Sequence, residues 1–238
     1  MDSLREKVVV ITGAVGNLGR ATARAFQRAG AHTVLVDRAG DRLHHQFSEL
    51  VVSPGHLLLG GVNLADEAAV AGAIGSAVER FGRIDVLVNT VGAWRGGAPT
   101  HEAPLADWDL LFSANLRPTL LASRAAVPHF IAQRSGRIIN VAARGGLHGD
   151  AGNAAYSAAK SAVLRLTEAL SAEVKNSGIN VNAVLPSTID TPQNRAAIPN
   201  ADYAKWVEPE AIADVILFLA ADAARAIHGA AIPVYGLS

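Results

Sequence analysis

Tyr156 and Lys160 stand four residues apart in the segment Tyr156-Ser157-Ala158-Ala159-Lys160, a spacing that puts both side chains on one face of a helix. Tyrosine is a poor acid–base group at its ordinary pKa of about 10. An ammonium beside it favours the phenolate. The pair therefore predicts a tyrosine of lowered pKa that exchanges a proton with a substrate oxygen or nitrogen. The same spacing also fits an ordinary amphipathic helix, so its meaning depends on what surrounds it. The small neighbours Ala154, Ala155, Ala158, Ala159 and Ala162 allow another group or helix to come close. With no cysteine, thiol nucleophiles, thiolate metal sites and disulfides are excluded. The histidines show no metal-ligand spacing such as H-E-x-x-H, and no metal site is expected. His148, between Ala143 and Tyr156, is read either as a donor to the substrate or as a surface-loop residue.

A second constellation lies near the start of the chain. An apolar run ends in Thr12-Gly13-Ala14-Val15-Gly16-Asn17-Leu18-Gly19, and a helical pattern opens at once. Glycines at Gly13, Gly16 and Gly19 allow a tight turn, and backbone N–H groups at the opening of a helix suit a pyrophosphate. The G-x-x-G-x-x-G spacing alone also fits a strand-to-helix turn with no ligand. Asp37 closes the second strand-like run, eighteen residues past Gly19, where a carboxylate can accept the ribose hydroxyls of a dinucleotide and repel a 2′-phosphate. That favours NAD(H). Arg38 beside it can hold a phosphate and keeps NADP(H) open as the alternative. Asn63 is a candidate for the adenine edge or an ordinary turn residue.

The elements that position these residues alternate strand and helix. Strand-like runs are expected at Lys7–Ile11, His32–Asp37, His56–Leu59, Ile84–Asn89, Arg137–Val141, Asn180–Leu185 and Ile232–Val234. Several are unbroken Val/Ile/Leu runs, the pattern of strands covered on both faces. Helices are expected at Leu18–Arg28, Glu67–Arg80, Leu105–Gln133, Ala154–Asn176 and Pro209–Ala221, with Asp66 as an N-cap and Pro209 in a first turn. This alternation predicts an α/β fold: one doubly wound domain over residues 1–238, with about seven parallel strands and helices on both faces. The Gly- and Pro-rich loops Val91–Pro104, Arg144–Asn153 and Pro186–Pro199 each follow a strand at its C-terminal end, where such sheets bind ligands.

The chain has 238 residues, half of them hydrophobic, enough for a large core. Twenty-one basic and twenty-one acidic side chains cancel, so no charge field points to nucleic acid or an anionic membrane. Met1–Lys7 is short and charged, unlike a secretory signal, and the longest apolar run, Ala211–Ala220, is interrupted by Asp214. A cytoplasmic location is expected.

With these residues in view, the chain resembles the short-chain dehydrogenase/reductase family, which uses a Rossmann-type fold, over nearly its whole length. The matching pieces are Thr12–Gly19, Asn89-Thr90-Val91-Gly92, Asn115, Tyr156 with Lys160, and Pro186 through Thr191. The resemblance implies an oxidoreductase that moves hydride to or from a nicotinamide cofactor. By it, Asn115 helps hold a proton-relay water near Lys160. Lys160 also holds the nicotinamide ribose. Asn89 and Gly92 wall the cofactor, while Ile189, Thr191 and Pro186 approach its nicotinamide end, and Gly13, Gly16, Asn17, Leu18 and Gly19 carry the pyrophosphate. It also implies a homodimer or homotetramer paired through the helices at Leu105–Gln133 and Ala154–Asn176.

The chain departs from the family pattern at three places. Asn17 stands where the family has its second glycine, with Gly16 one position early. Thr90 and Val91 replace Asn and Ala in the N-N-A-G segment. Ala143, thirteen residues before Tyr156, replaces the family's catalytic serine, and Ala142 precedes it. Loss of a hydroxyl donor weakens ordinary carbonyl chemistry. It matters less for a conjugated ring. One branch of the family, the quinonoid dihydropteridine reductases, has alanine there, and the resemblance extends to Gly92–Gly97, Leu185–Arg195, Pro199–Tyr203 and Trp206. In that reading Trp94 stacks on a flat bicyclic ring; the alternative is a loop anchor. Gln193, Asn194 and Arg195 line the substrate mouth or cap a short helix. Three functions follow: reductase of a quinonoid dihydropterin-like ring, reductase or dehydrogenase of a ketone, alcohol or 3-oxoacyl thioester without the serine, or a catalytically quiet dinucleotide-binding protein.

Overall fold

A computed structural model describes residues 4–238. In chain order the elements are β1 (Val8–Thr12), α1 (Asn17–Arg28), β2 (His32–Val36), α2 (Gly40–Gln46), β3 (His56–Leu59), α3 (Glu67–Phe81), β4 (Val86–Asn89), α4 (Leu105–Asn115), α5 (Arg117–Gln133), β5 (Gly136–Val141), α6 (Ala154–Val174), β6 (Ile179–Pro186), α7 (Pro192–Ala197), α8 (Pro209–Ala220) and β7 (Ala231–Val234). The strands form one parallel sheet in the order β3-β2-β1-β4-β5-β6-β7. The strand order reverses between β1 and β4, so the loops after these two strands diverge and open a crevice at their C-terminal ends.

The unbroken apolar strands are explained by cover on both sides. Within β1, Val9 and Ile11 pack with Phe26 of α1 and Ile212 and Ile216 of α8, while Val8 and Val10 face the opposite layer with Val70 and Ile74 of α3 and Phe130 of α5. Asp66 caps α3 by accepting from the Ala69 amide at 2.8 Å, and Pro209 occupies the first turn of α8.

Three elements differ from expectation. The helix expected over Leu105–Gln133 is divided at Leu116. Pro118 has no N–H for the Ala114 carbonyl, and its ring crowds the preceding turn. α2 buries only Leu43, so its sequence shows no apolar period, and α7 buries none of its residues. No described helix is long and apolar enough to cross a membrane.

Candidate active site

The nucleotide turn follows β1 directly. Gly13 has φ +72°, a conformation favouring glycine. Gly19 lies so close beneath it that a Cβ there would fall 2.1 Å from the Gly13 carbonyl oxygen. The turn closes through the Gly16 amide, which donates to Gly13 O at 3.1 Å. Gly16 then precedes α1, whose first turn carries no acidic residue. Its opening amides at Asn17, Leu18 and Gly19 lack intrahelical partners by the geometry of any helix start. Twelve residues of aligned peptide stand behind them. These features fit a dinucleotide pyrophosphate.

Asp37 follows β2 and is buried. Its carboxylate accepts from the Val15 amide at 3.1 Å and the Ala39 amide at 2.9 Å, which joins the nucleotide turn to the end of β2. Arg38 is exposed beside it. Asn63 is exposed, and its side chain accepts from the Ala65 amide at 3.1 Å, the local contact of a turn residue.

Asn89 differs from its expected place along the cofactor wall. It is buried, donates to the Asn140 side chain at 2.9 Å, and receives a 3.4 Å hydrogen bond from Thr12. Asn140 donates in turn to Thr167 of α6 at 2.9 Å. The rank Thr12, Asn89 and Asn140 is aligned by strand register. It ties the strand bearing the nucleotide turn to the helix bearing Tyr156. Asn140 was missed from the sequence, although an asparagine inside the apolar run of β5 is itself a signal of a buried partner.

Gly92 reaches the center of the site. A Cβ on it would lie 2.9 Å from Asn115 Oδ1 and 3.1 Å from Lys160 Nζ. Asn115 is fully buried. Its amide donates to Ala93 O at 3.0 Å and Leu111 O at 2.9 Å, while its Oδ1 accepts from the Ala93 amide at 3.1 Å. It thus clamps the loop after β4, and both of its amide hydrogens are spoken for.

Lys160 is buried, and Nζ donates to Val141 O at 3.0 Å. Burial lowers its pKa to about 8. Tyr156, half-buried one turn earlier on α6, is pushed up to about 12 by loss of solvent. This is opposite to the expected lowering by the ammonium. The lysine is turned onto a backbone carbonyl, and desolvation of the phenolate wins. Ser157 is also buried, with its hydroxyl unpartnered among the described residues.

Ala143 lies in extended backbone two residues past β5 and is buried. The chain then turns through Arg144–Gly146, where the Gly146 amide donates to Ala143 O at 2.9 Å. His148 is exposed in the same loop, and no described hydrogen bond ties it to Tyr156 or Lys160. Across the opening, Trp94 is 64% exposed, and its indole N–H donates to Asn153 Oδ1 at 3.2 Å. The adjacent backbones are joined by Gly97 N to Gly152 O at 2.8 Å. Asn153 was not singled out from the sequence. Its position three residues before Tyr156, at the start of α6, was the available signal.

After β6, ending at Pro186, Thr191 caps α7 by accepting from the Asn194 amide at 3.1 Å. Asn194 Nδ2 donates to Ile189 O at 2.8 Å, and Arg195 forms two 2.6 Å hydrogen bonds with Asp190. Of the three substrate-mouth candidates, Asn194 and Arg195 are therefore engaged within this segment. Gln193 accepts from Asn17 Nδ2 at 2.8 Å and faces the nucleotide turn.

The chain is similar to known proteins over nearly its whole length. The family described as short chain dehydrogenase matches residues 7–202. The chain is similar to (2S)-[(R)-hydroxy(phenyl)methyl]succinyl-CoA dehydrogenase of Thauera aromatica, with 35% identity covering 98% of this chain and 96% of that one. It is also similar to meso-2,3-butanediol dehydrogenase of Serratia marcescens, with 37% identity covering 97% and 93%. Among solved structures, ElxO with NADP bound superposes with a TM-score of 0.89 at 26% identity, covering 97% of this chain and 98% of that chain.

Proposed function

The chain belongs to the short-chain dehydrogenase family of oxidoreductases, and from that premise we propose that it binds a nicotinamide dinucleotide and reduces or oxidises a small molecule with Tyr156 and Lys160 as its proton-handling pair. The observation that carries this reading is the convergence on Gly92 of Asn115 Oδ1 from α4 and Lys160 Nζ from α6, the helix that also bears Tyr156. The dinucleotide, when bound, supplies or accepts hydride. Gly13, Gly16, Asn17, Leu18 and Gly19 hold its pyrophosphate, and Lys160 holds its nicotinamide ribose. The loop backbone at Gly92 and the segment Pro186, Ile189 and Thr191 border its nicotinamide end. Asp37 selects NAD(H), because a buried carboxylate accepts ribose hydroxyls and repels a 2′-phosphate. Arg38 and Asn63 border the adenosine. NADP is bound by the related ElxO, so the preference rests on Asp37.

Tyr156 keeps its proton at neutral pH and gives it up when the substrate gains negative charge. The ammonium of Lys160 stabilises the phenolate left behind. Asn115 acts as a positioning residue by fixing Gly92 and Ala93. The substrate class supported by the relatives is a secondary alcohol or its ketone, including thioester-bearing ones. Ala143 favours a second reading, a flat conjugated ring of the quinonoid dihydropterin kind. No hydroxyl stands at that position to grip a carbonyl oxygen, and Trp94 offers an exposed indole whose N–H is pinned to Asn153. His148 borders the same mouth.

We further propose one domain over residues 1–238, a cytoplasmic location, and a homodimer or homotetramer. The apolar Leu105, Leu110, Leu120 and Ile131, exposed on α4 and α5, suit burial against a second copy. The test is nicotinamide absorbance with NADH and NADPH against ketones, 3-oxoacyl thioesters and quinonoid dihydropterin, using wild type, Tyr156→Phe and Ala143→Ser. Turnover lost in Tyr156→Phe with nucleotide binding retained supports the mechanism, and turnover unchanged refutes it. Ketone reduction raised by Ala143→Ser favours the first substrate class. Pterin turnover without carbonyl turnover favours the second.

A further inference from the structure

Tyr156 and Lys160 lie near the start of α6, and Thr167 follows Lys160 by about two turns on the same face. Thr167 is buried, and its hydroxyl plays both hydrogen-bonding parts. It accepts from Asn140 Nδ2 at 2.9 Å and donates to Val163 O at 2.8 Å. Asn140 Oδ1 accepts from Asn89 Nδ2 at 2.9 Å, and Asn89 Oδ1 accepts from the Thr12 hydroxyl at 3.4 Å. Every donor in this buried chain points the same way, from β1 through β4 and β5 into α6. Hydrogen bonds aligned in that manner polarise and strengthen one another.

Apolar packing does not fix where α6 stands along its own axis. Val163 and Leu164 pack against Ala142, Ala183 and Leu185, and burial of apolar area has no direction. Among the described residues, two side-chain hydrogen bonds join α6 to β5. One runs from Asn140 Nδ2 to Thr167, and the other from Lys160 Nζ to Val141 O at 3.0 Å. Their strand partners are consecutive residues. The lysine hangs on a flexible four-carbon stem and follows the helix rather than holding it. Asparagine and β-branched threonine are short and stiff, so the neutral bond sets the height of α6.

We propose that Asn140 and Thr167 are positioning residues for Lys160, holding α6 against β5 at the height from which Nζ reaches Val141 O. The proposal rests on the reading above that Lys160 serves the proton-handling pair. Without the Thr167 hydroxyl, a buried Asn140 N–H loses its acceptor. The helix then shifts to admit water or another acceptor, and Lys160 is better hydrated. The Val141 carbonyl and the Asn115 side chain beside Nζ carry no charge, and Tyr156 is the titratable neighbour on its own helix. Burial is what lowers the lysine, so hydration raises it.

The experiment is a pH titration of the full chain, without nucleotide, by NMR of 13Cε-labelled lysine. The chain has four lysines, and Lys160→Met identifies the Lys160 signal. Wild-type Lys160 is expected to titrate at about 8. Thr167→Val keeps the branched shape without the hydroxyl and is expected to raise that midpoint by about one pH unit, toward the ordinary value of about 10.4. It is also expected to lower kcat for NADH-driven ketone reduction at pH 7 by about two- to tenfold. Thr167→Ser keeps the hydroxyl and is expected to hold both wild-type values. Thr167→Ala favours the helix and is expected to repeat the rise, which covers a valine variant that does not fold. A wild-type Lys160 midpoint in folded Thr167→Val or Thr167→Ala would overturn the proposal, whatever the loss in Tm. An equal rise in Thr167→Ser would overturn it too, because the hydroxyl would then not be the cause. If Lys160→Met turns over as fast as wild type, the proton-handling reading fails. The NMR midpoints then decide by themselves whether Thr167 places the lysine.

Discussion

Replacing Gly92 with alanine tests how the site is assembled. Gly92 does not have positive φ, so the substitution brings no backbone penalty of that kind, and its effect comes from contact. The new methyl would sit 2.9 Å from Asn115 Oδ1 and 3.1 Å from Lys160 Nζ, against 3.4–4 Å for ordinary contact. Asn115 cannot give way, because three hydrogen bonds of 2.9–3.1 Å hold its side chain. Lys160 ends in a flexible chain and must retreat by a few tenths of an ångström, straining its 3.0 Å hydrogen bond to Val141 O. A hydrogen bond to a charged group is worth about 1.5–3 kcal/mol. Forfeiting half of it amounts to about 1 kcal/mol, or roughly five- to tenfold in a rate that depends on the ammonium's place. Overpacking costs about 1–3 kcal/mol of stability, and each kcal/mol is worth about 2–4 °C in Tm for a chain of this size. Gly92→Ala is expected to lower kcat by about five- to tenfold while the protein stays folded, measured by steady-state kinetics with thermal melts alongside. Wild-type kcat would refute the placement of Lys160 against Gly92 as a requirement of turnover.

Reduction should hold steady through neutral pH and decline above about 8, because Lys160 loses its proton there while Tyr156, at about 12, keeps its own. A rate that climbs through pH 8–10 in the reductive direction would contradict this assignment. Asp37→Ser should lower the NADH-to-NADPH ratio of kcat/KM by roughly tenfold or more, since one repulsive charge is removed. It should also lower Tm, because the Val15 and Ala39 amides lose a shared carboxylate; an unchanged ratio would remove Asp37 as selector. Gly19→Ala drives a methyl to 2.1 Å from a backbone oxygen that cannot rotate away. A stability loss of about 3 kcal/mol or more is expected in denaturant melts, and a neutral result would show that the turn opens freely.

The missing serine and the raised tyrosine bear on each other. A tyrosine held protonated in a desolvated site is a proton donor before it is a base. Ala143 offers no hydroxyl beside it, so the substrate oxygen or nitrogen must find its second partner elsewhere or develop less charge. A conjugated acceptor satisfies the latter condition, and for that reason Ala143→Ser separates the two substrate classes.

The sequence by itself determined the architecture, because its signals are local. Unbroken apolar runs such as Val8–Ile11 require cover on both faces, and the helices between them fix parallel strands. The glycine turn, Asp37, Tyr156 and Lys160 were legible for the same reason, since each is a residue type fixed at one place in a repeating unit. Tertiary structure decided what depends on distance across the chain. Burial, which no spacing encodes, turned Asn89 into the core and pushed Tyr156 up in pKa. The break at Leu116, by contrast, is local, with Pro118 acting on a carbonyl one turn away. Its neighbours in sequence place Gln193 at the substrate mouth or in the cap of a short helix, and neither reading names Asn17. Its partner Asn17 lies 176 residues away and meets it because the parallel sheet brings the C-terminal ends of β1 and β6 to the same side.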